Sequence, residues 1–164
     1  MTFAWLRREQ RLSIEQRLYT ALRARADRRS PLPPHQLTGE RGEDAAFFHL
    51  RSLGYTLVAR RWRSQRLRGD LDLVAWDGDT LVVFEIKTRT ARDLAPADTQ
   101  VDQHKQQQLR KMAAAYLAQF PEAHRVSVPV RFDILSVYLL GGQPHFEHFR
   151  NAFPRTSQFH AAGV

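Results

Sequence analysis

Apolar and polar residues take turns along Tyr55 to Arg61, where Tyr, Leu and Ala alternate with Thr and Val, and this period of two predicts a strand. Two more strands follow after the polar, Arg-rich connection Arg63–Gly69: Leu71 to Trp76, then Thr80 to Lys87. The tripeptide "DGD" between them, Asp77 to Asp79, has the turn chemistry of a tight hairpin. Past a loop containing Pro96 the period lengthens. Val101, Leu109, Met112, Ala113, Tyr116 and Leu117 form one apolar face of a helix expected over about Thr99 to Gln119. Strands over Val128–Tyr138 and His145–Phe149, joined through "GGQP", complete the pattern. Upstream, Thr38 is a candidate cap for a helix reaching about Leu53, with Ala45, Ala46, Phe48 and Leu53 for the core and Gly54 as its stop.

Residues 3 to 29 are good helix formers, but Leu6, Ile14, Leu18, Tyr19 and Leu22 are spaced in only partly helical fashion. The stretch "SPLPPHQ", Ser30 to Gln36, reads as a stiff linker. The order helix, three strands, helix, two strands predicts an α/β domain, a mixed β-sheet flanked by helices. Three segments result: a basic, helix-forming arm with its linker (1–36), the domain (37–153) and a tail (154–164).

A chain of 164 residues, 43% hydrophobic, is about one domain long. No uninterrupted apolar stretch approaches a membrane span, and Arg7 and Arg8 follow Met1–Leu6 at once, leaving no room for a signal-peptide core. Cysteine is absent, which excludes disulfides, thiolate metal sites and cysteine nucleophiles. A cytoplasmic protein without a membrane partner is expected. The formal charge of +8 is uneven, for residues 1–36 hold eight Arg against three acids. That balance favours polyanions, nucleic acid first.

Against this basic background, acids inside apolar runs stand out. Strand side chains alternate faces, so Asp70 and Asp72 share one side, with Leu71 and Leu73 on the other. On the returning strand Val83, Glu85 and Lys87 lie opposite Val82, Phe84 and Ile86, and a tight hairpin brings Asp72 and Glu85 onto one face. Two readings are open. The carboxylates flank a hard divalent cation such as Mg²⁺ or Mn²⁺, with Lys87 orienting water or countering charge on a phosphate. Alternatively, they are solvent-facing charges paired with Lys87.

The sequence "GDLDL" from Gly69, followed by "FEIKTR" from Phe84, resembles the PD-(D/E)xK nuclease motif as carried by the YraN-like family, predicted endonucleases related to archaeal Holliday-junction resolvases. "GERGEDAA" from Gly39, "GYTLVARRWR" from Gly54, the Val101–Leu117 pattern, "RFD" at Arg131–Asp133 and "NAF" at Asn151–Phe153 extend the resemblance over residues 37–153. It implies a restriction-endonuclease-like fold, with Asp72 and Glu85 as metal ligands, Ile86 offering a backbone carbonyl and Lys87 as the catalytic lysine. Glu43 matches the helix glutamate of resolvase-like members, which implies a ligand to a second metal or to a metal-bound water. Asp70 departs from the usual Glu and Arg61 from the usual Asn.

Arg60, Arg61, Arg63, Arg66 and Arg68 precede the acidic strand directly and are candidates for phosphate contact, as is Lys105 on the following helix. Trp62 and Trp76 are either base-stacking or core residues, and Asp133 is either a site-edge acid or the partner of an Arg. His145 and His148 of "HFEH" point to opposite faces of a strand and receive no role. The expectation is a Mg²⁺- or Mn²⁺-dependent endonuclease on DNA, including branched or structured DNA; the alternative is a non-catalytic nucleic-acid-binding protein on the same fold. A homodimer would suit a two-fold junction, though no interface is legible.

Overall fold

The computed structural model describes residues 8–29, 33–90, 101–122 and 127–155. In chain order the elements are α1 (Arg8–Arg29), α2 (Pro34–Ser52), β1 (Thr56–Trp62), β2 (Leu71–Asp77), β3 (Thr80–Arg89), α3 (Gln103–Leu117), β4 (Val130–Tyr138) and β5 (His145–Phe153). The five strands form one open mixed sheet in sequential order, antiparallel throughout except where β3 runs parallel to β4. A parallel pair needs a crossover, and α3 supplies it.

The pleat sorts the apolar residues into two layers. Leu73, Ala75, Val82, Phe84, Leu135 and Val137 face α2, where Ala46 and Leu50 cover them. Val74, Val83, Phe132 and Ile134 face α3, beneath Val101, Leu109, Met112, Ala113, Tyr116 and Leu117. All six apolar residues expected on α3 are therefore buried. Each fully buried Leu or Phe contributes roughly 1.5–3 kcal/mol. Leu71 departs from the expected alternation: at the start of β2 it joins the α3 layer, while Leu73 faces α2.

The start of α2 differs from expectation. Pro33 is its N-cap and Pro34 its first residue, so the helix begins inside the stretch read as a linker and Thr38 lies within it. Proline at the first helical position has the right φ and lacks only an N–H that would have no partner there. At the other end Leu53 is 55% exposed and Leu50 takes the core position expected of it. Gly42 lets α2 lie directly on β3, because a Cβ there would stand 1.8 Å from Thr88 Oγ1. Helix α1 rests on α2 through the edge-on contact of Tyr19 with Phe48, a 2.9 Å hydrogen bond from Tyr19 to Asp44 and a 2.7 Å ion pair between Glu15 and Arg51. Leu18 and Leu22 remain exposed. Among the described residues no helix is long and apolar enough to cross a membrane.

Candidate metal centre

Asp77 pairs with Thr80 across the hairpin turn, and the register continues through Val74↔Val83 to Leu73↔Phe84. The paired register ends there, and by the alternation of the strands Asp72 and Glu85 both fall on the α3 side with Val74 and Val83, close enough for their charges to interact. The Ile86 amide donates to Asp72 Oδ2 at 2.7 Å. Burial, then the charge of Glu85, pushes the Asp72 carboxyl up to about 7, with a smaller contribution from Glu43; the Ile86 N–H and Lys105 oppose the shift. Two acids in a low-dielectric place resist joint ionisation.

The expected phosphate contact Lys105 has a different position. Its N–H closes the α3 cap, donating to Asp102 Oδ1 at 2.8 Å, while its Nζ stands 3.0 Å from Glu85 Oε2. Burial, the largest single effect, lowers this ammonium's pKa, but the charge and hydrogen bond of Glu85 together with the charges of Asp72 and Asp70 outweigh it and hold the pKa above the ordinary value. Apart from that ammonium, buried Glu85 Oε2 meets no hydrogen-bond partner among the described residues. Nothing in the sequence spacing tied Lys105 to Glu85, because the α3 crossover brings them together.

Lys87 follows Glu85 on the same face of β3 and lies level with Ser136 of the parallel neighbour β4. Ser136 escaped the sequence reading; its buried Oγ has no hydrogen-bond partner among the described residues. Gly69, just before the acidic strand, has φ +102°, and a Cβ there would fall 2.2 Å from Gln108 Nε2. The same amide donates to Arg68 O at 3.1 Å, tying the β1–β2 loop to α3. Asp70 follows directly, 3.6 Å from exposed Arg63.

Glu43 comes from α2, but its carboxylate is already engaged. Arg61 Nε donates to Oε2 at 2.5 Å and Nη2 to Oε1 at 3.0 Å, while Nη1 reaches Glu40 Oε1 at 2.7 Å. Arg60 binds Asp44, with its Nε 3.9 Å from Glu43 Oε2. Of the five arginines expected to meet phosphate, Arg60 and Arg61 are therefore engaged by α2 acids, while Arg63, Arg66 and Arg68 lie exposed. Arg68 lines a groove of about 530 Å³ between the loop and α3, together with His104, Gln107 and Lys111.

Other candidates resolve toward structure. Trp62 packs edge-on against Tyr116 and Trp76 against Phe120 at the edge of the α3 layer. Asp133 is the partner of an Arg: Arg131 donates through Nε and Nη2 at 2.8 and 2.9 Å, His148 Nε2 lies at 2.9 Å and the Asn151 amide donates at 2.8 Å. His148, given no role from sequence, belongs to this network.

Asp72, Glu85 and the Ile86 carbonyl offer hard oxygen donors, and the buried Glu85 Oε2 has the Lys105 ammonium at 3.0 Å as its counter-charge. That set fits one hard divalent ion completed by water. Among the described residues no group of three His, Asp or Glu side chains is close enough to hold a metal by itself.

Fold and site define an α/β protein with an open mixed sheet and a carboxylate pair on two adjacent central strands. The chain belongs to the uncharacterised protein family UPF0102, whose family model matches residues 42–137, which is the YraN-like family that its motifs resemble. It is 44% identical over 121 residues to a UPF0102 protein of Koribacter versatilis (strain Ellin345), covering 74% of this chain and 82% of that one. A Solibacter usitatus UPF0102 protein is 42% identical over 70% of this chain and 84% of its own length, and one from Porphyromonas gingivalis 38% identical over 73% and 86%.

Proposed function

We propose that this protein is a divalent-metal-dependent nuclease hydrolysing phosphodiester bonds in DNA, including branched or structured DNA. One observation carries the reading: Asp72 and Glu85 share one face of adjacent strands close enough for the Glu85 charge to act on Asp72, and Lys87 follows on the same face. Asp72, Glu85 and the Ile86 carbonyl would hold Mg²⁺ or Mn²⁺, which when bound acidifies water and shields negative charge on the phosphate. The Lys87 ammonium orients the attacking water and counters the charge that grows on phosphorus. The water oxygen forms the new P–O bond as the bond to the leaving sugar oxygen breaks, and the proton lost by water ends on that leaving oxygen. Exposed Arg63, Arg66 and Arg68, with Lys111 across the groove, supply backbone phosphate contacts.

Lys105 favours a second reading, a nucleic-acid-binding protein without catalysis, since its ammonium already supplies Glu85 with a counter-charge. Incubation with linear, flapped and four-way DNA in Mg²⁺, Mn²⁺ or EDTA distinguishes the two. The nuclease reading expects cleavage that EDTA and Glu85→Gln both abolish. Metal-independent binding with no cleavage above a mock preparation would leave the binding protein.

A further inference from the structure

Arg61 has φ +47° inside β1, a left-handed conformation that costs a non-glycine residue about 1–2 kcal/mol. What holds it there is on its side chain. Its guanidinium grips both oxygens of Glu43, at 2.5 and 3.0 Å, in the two-pronged geometry that only an arginine gives a carboxylate, and a third N–H takes Glu40 at 2.7 Å. The charges of Asp70 and Asp44 also act on this guanidinium. Glu43 in turn acts on Asp72. Arg61 therefore lies among the acids of α2 and the acids of the β2–β3 hairpin, as a permanent cation within a cluster of carboxylates.

We propose that Arg61 is a resident cation for Glu43: it fills the place a second divalent ion would otherwise take, so the cluster accepts one ion, between Asp72 and Glu85, and Glu43 anchors β1 to α2 without ligating metal. This rests on the metal-dependent reading above and narrows it to one ion per chain. The physical argument is competition. A carboxylate with both oxygens committed to a fork must surrender two charge-assisted hydrogen bonds before it can ligate, and a divalent ion placed there would meet the positive charge of Arg61 at close range. Among the described residues no guanidinium fork is found on Asp72 or Glu85. The amide of Ile86 binds one oxygen of Asp72, and the Lys105 ammonium stands 3.0 Å from Glu85 Oε2.

Titration of the full chain with Mn²⁺, reading bound ion by electron paramagnetic resonance, tests this apart from any activity. The expected result is one ion per wild-type chain, lost in Asp72→Asn and changed less than threefold in affinity by Glu43→Gln. In Arg61→Asn, chosen because asparagine tolerates positive φ, a second ion should bind, and Glu43→Gln in that background should remove it. Two ions in the wild type, or a tenfold weaker site in Glu43→Gln, would overturn the proposal while leaving the metal reading intact, as would a single unaltered ion in folded Arg61→Asn. Binding in none of the variants would overturn the metal reading, and this inference with it.

Discussion

Two aspartates near the centre of one sheet, Asp133 buried and Asp72 half-buried, have opposite surroundings. Asp133 on β4 is enclosed by Arg131, His148 and the Asn151 amide, and although burial alone would raise its pKa, these hydrogen bonds bring it below the ordinary carboxylate value. Asp72 on β2 receives the Ile86 amide and faces another acid, and it is pushed up to about 7. The first aspartate completes a structural network. The second is left short of positive charge in the place where a cation would relieve it. Burial raises both carboxyls, and their partners separate a stabilising acid from a candidate site.

The largest expected effect comes from breaking the satisfied side. Asp133→Ala takes two hydrogen bonds from Arg131, which keeps Asp77 and Tyr55, and removes the acid that His148 and the Asn151 amide meet, so it should destabilise the protein by about 3–5 kcal/mol in a denaturant titration. Asp72→Asn should do the reverse in metal-free protein at pH 7, raising stability on the order of 1–2 kcal/mol while abolishing Mg²⁺-induced stabilisation. Equal losses for both variants would erase the contrast.

The pH dependences should also oppose each other. The folded chain holds the Asp72 proton more tightly than the unfolded chain, whose value is near 3.8, so that contribution is full below about 4 and is lost as pH rises through about 7. Asp133, lowered on folding, contributes above its ordinary 3.8 and loses that contribution as pH falls through its folded value. Metal-free melting temperatures should therefore decline toward pH 7 in the wild type, and Asp72→Asn should flatten that decline. A still smaller effect is expected of Lys105→Met. Removing the ammonium beside Glu85 should change metal-free stability by no more than about 1 kcal/mol and tighten Mg²⁺ binding, because a competing positive charge is gone.

Much of this contrast was legible along the chain where it depended on local period. A two-residue hairpin at Asp77–Thr80 pairs the strands as far as Leu73 and Phe84 and so brings Asp72 and Glu85 to one face, and the helical spacing of Leu109, Met112, Ala113, Tyr116 and Leu117 marked the face that α3 buries. What escaped was set by contacts between distant segments. Lys105 meets Glu85 only because the parallel β3–β4 pair requires a crossover. Arg61 looked like one more phosphate contact, and its grip on Glu43 depends on how α2 lies across the sheet, where Gly42 meets Thr88. The start of α2 was misplaced because Pro33 and Pro34 signal a break and a helix start equally well. His148 was set aside for lack of a histidine partner on its face, whereas its partner is an aspartate on the neighbouring strand.

Carboxyl ¹³C NMR of aspartate-labelled protein, titrated with pH in the absence and presence of Mg²⁺, tests the central claim most directly. The account predicts that Asp72 titrates near pH 7 without metal and stays ionised down to at least about pH 5 with saturating Mg²⁺, while Asp133 remains ionised below pH 3.8 in both. An Asp72 resonance titrating near 4 and indifferent to Mg²⁺ would contradict it.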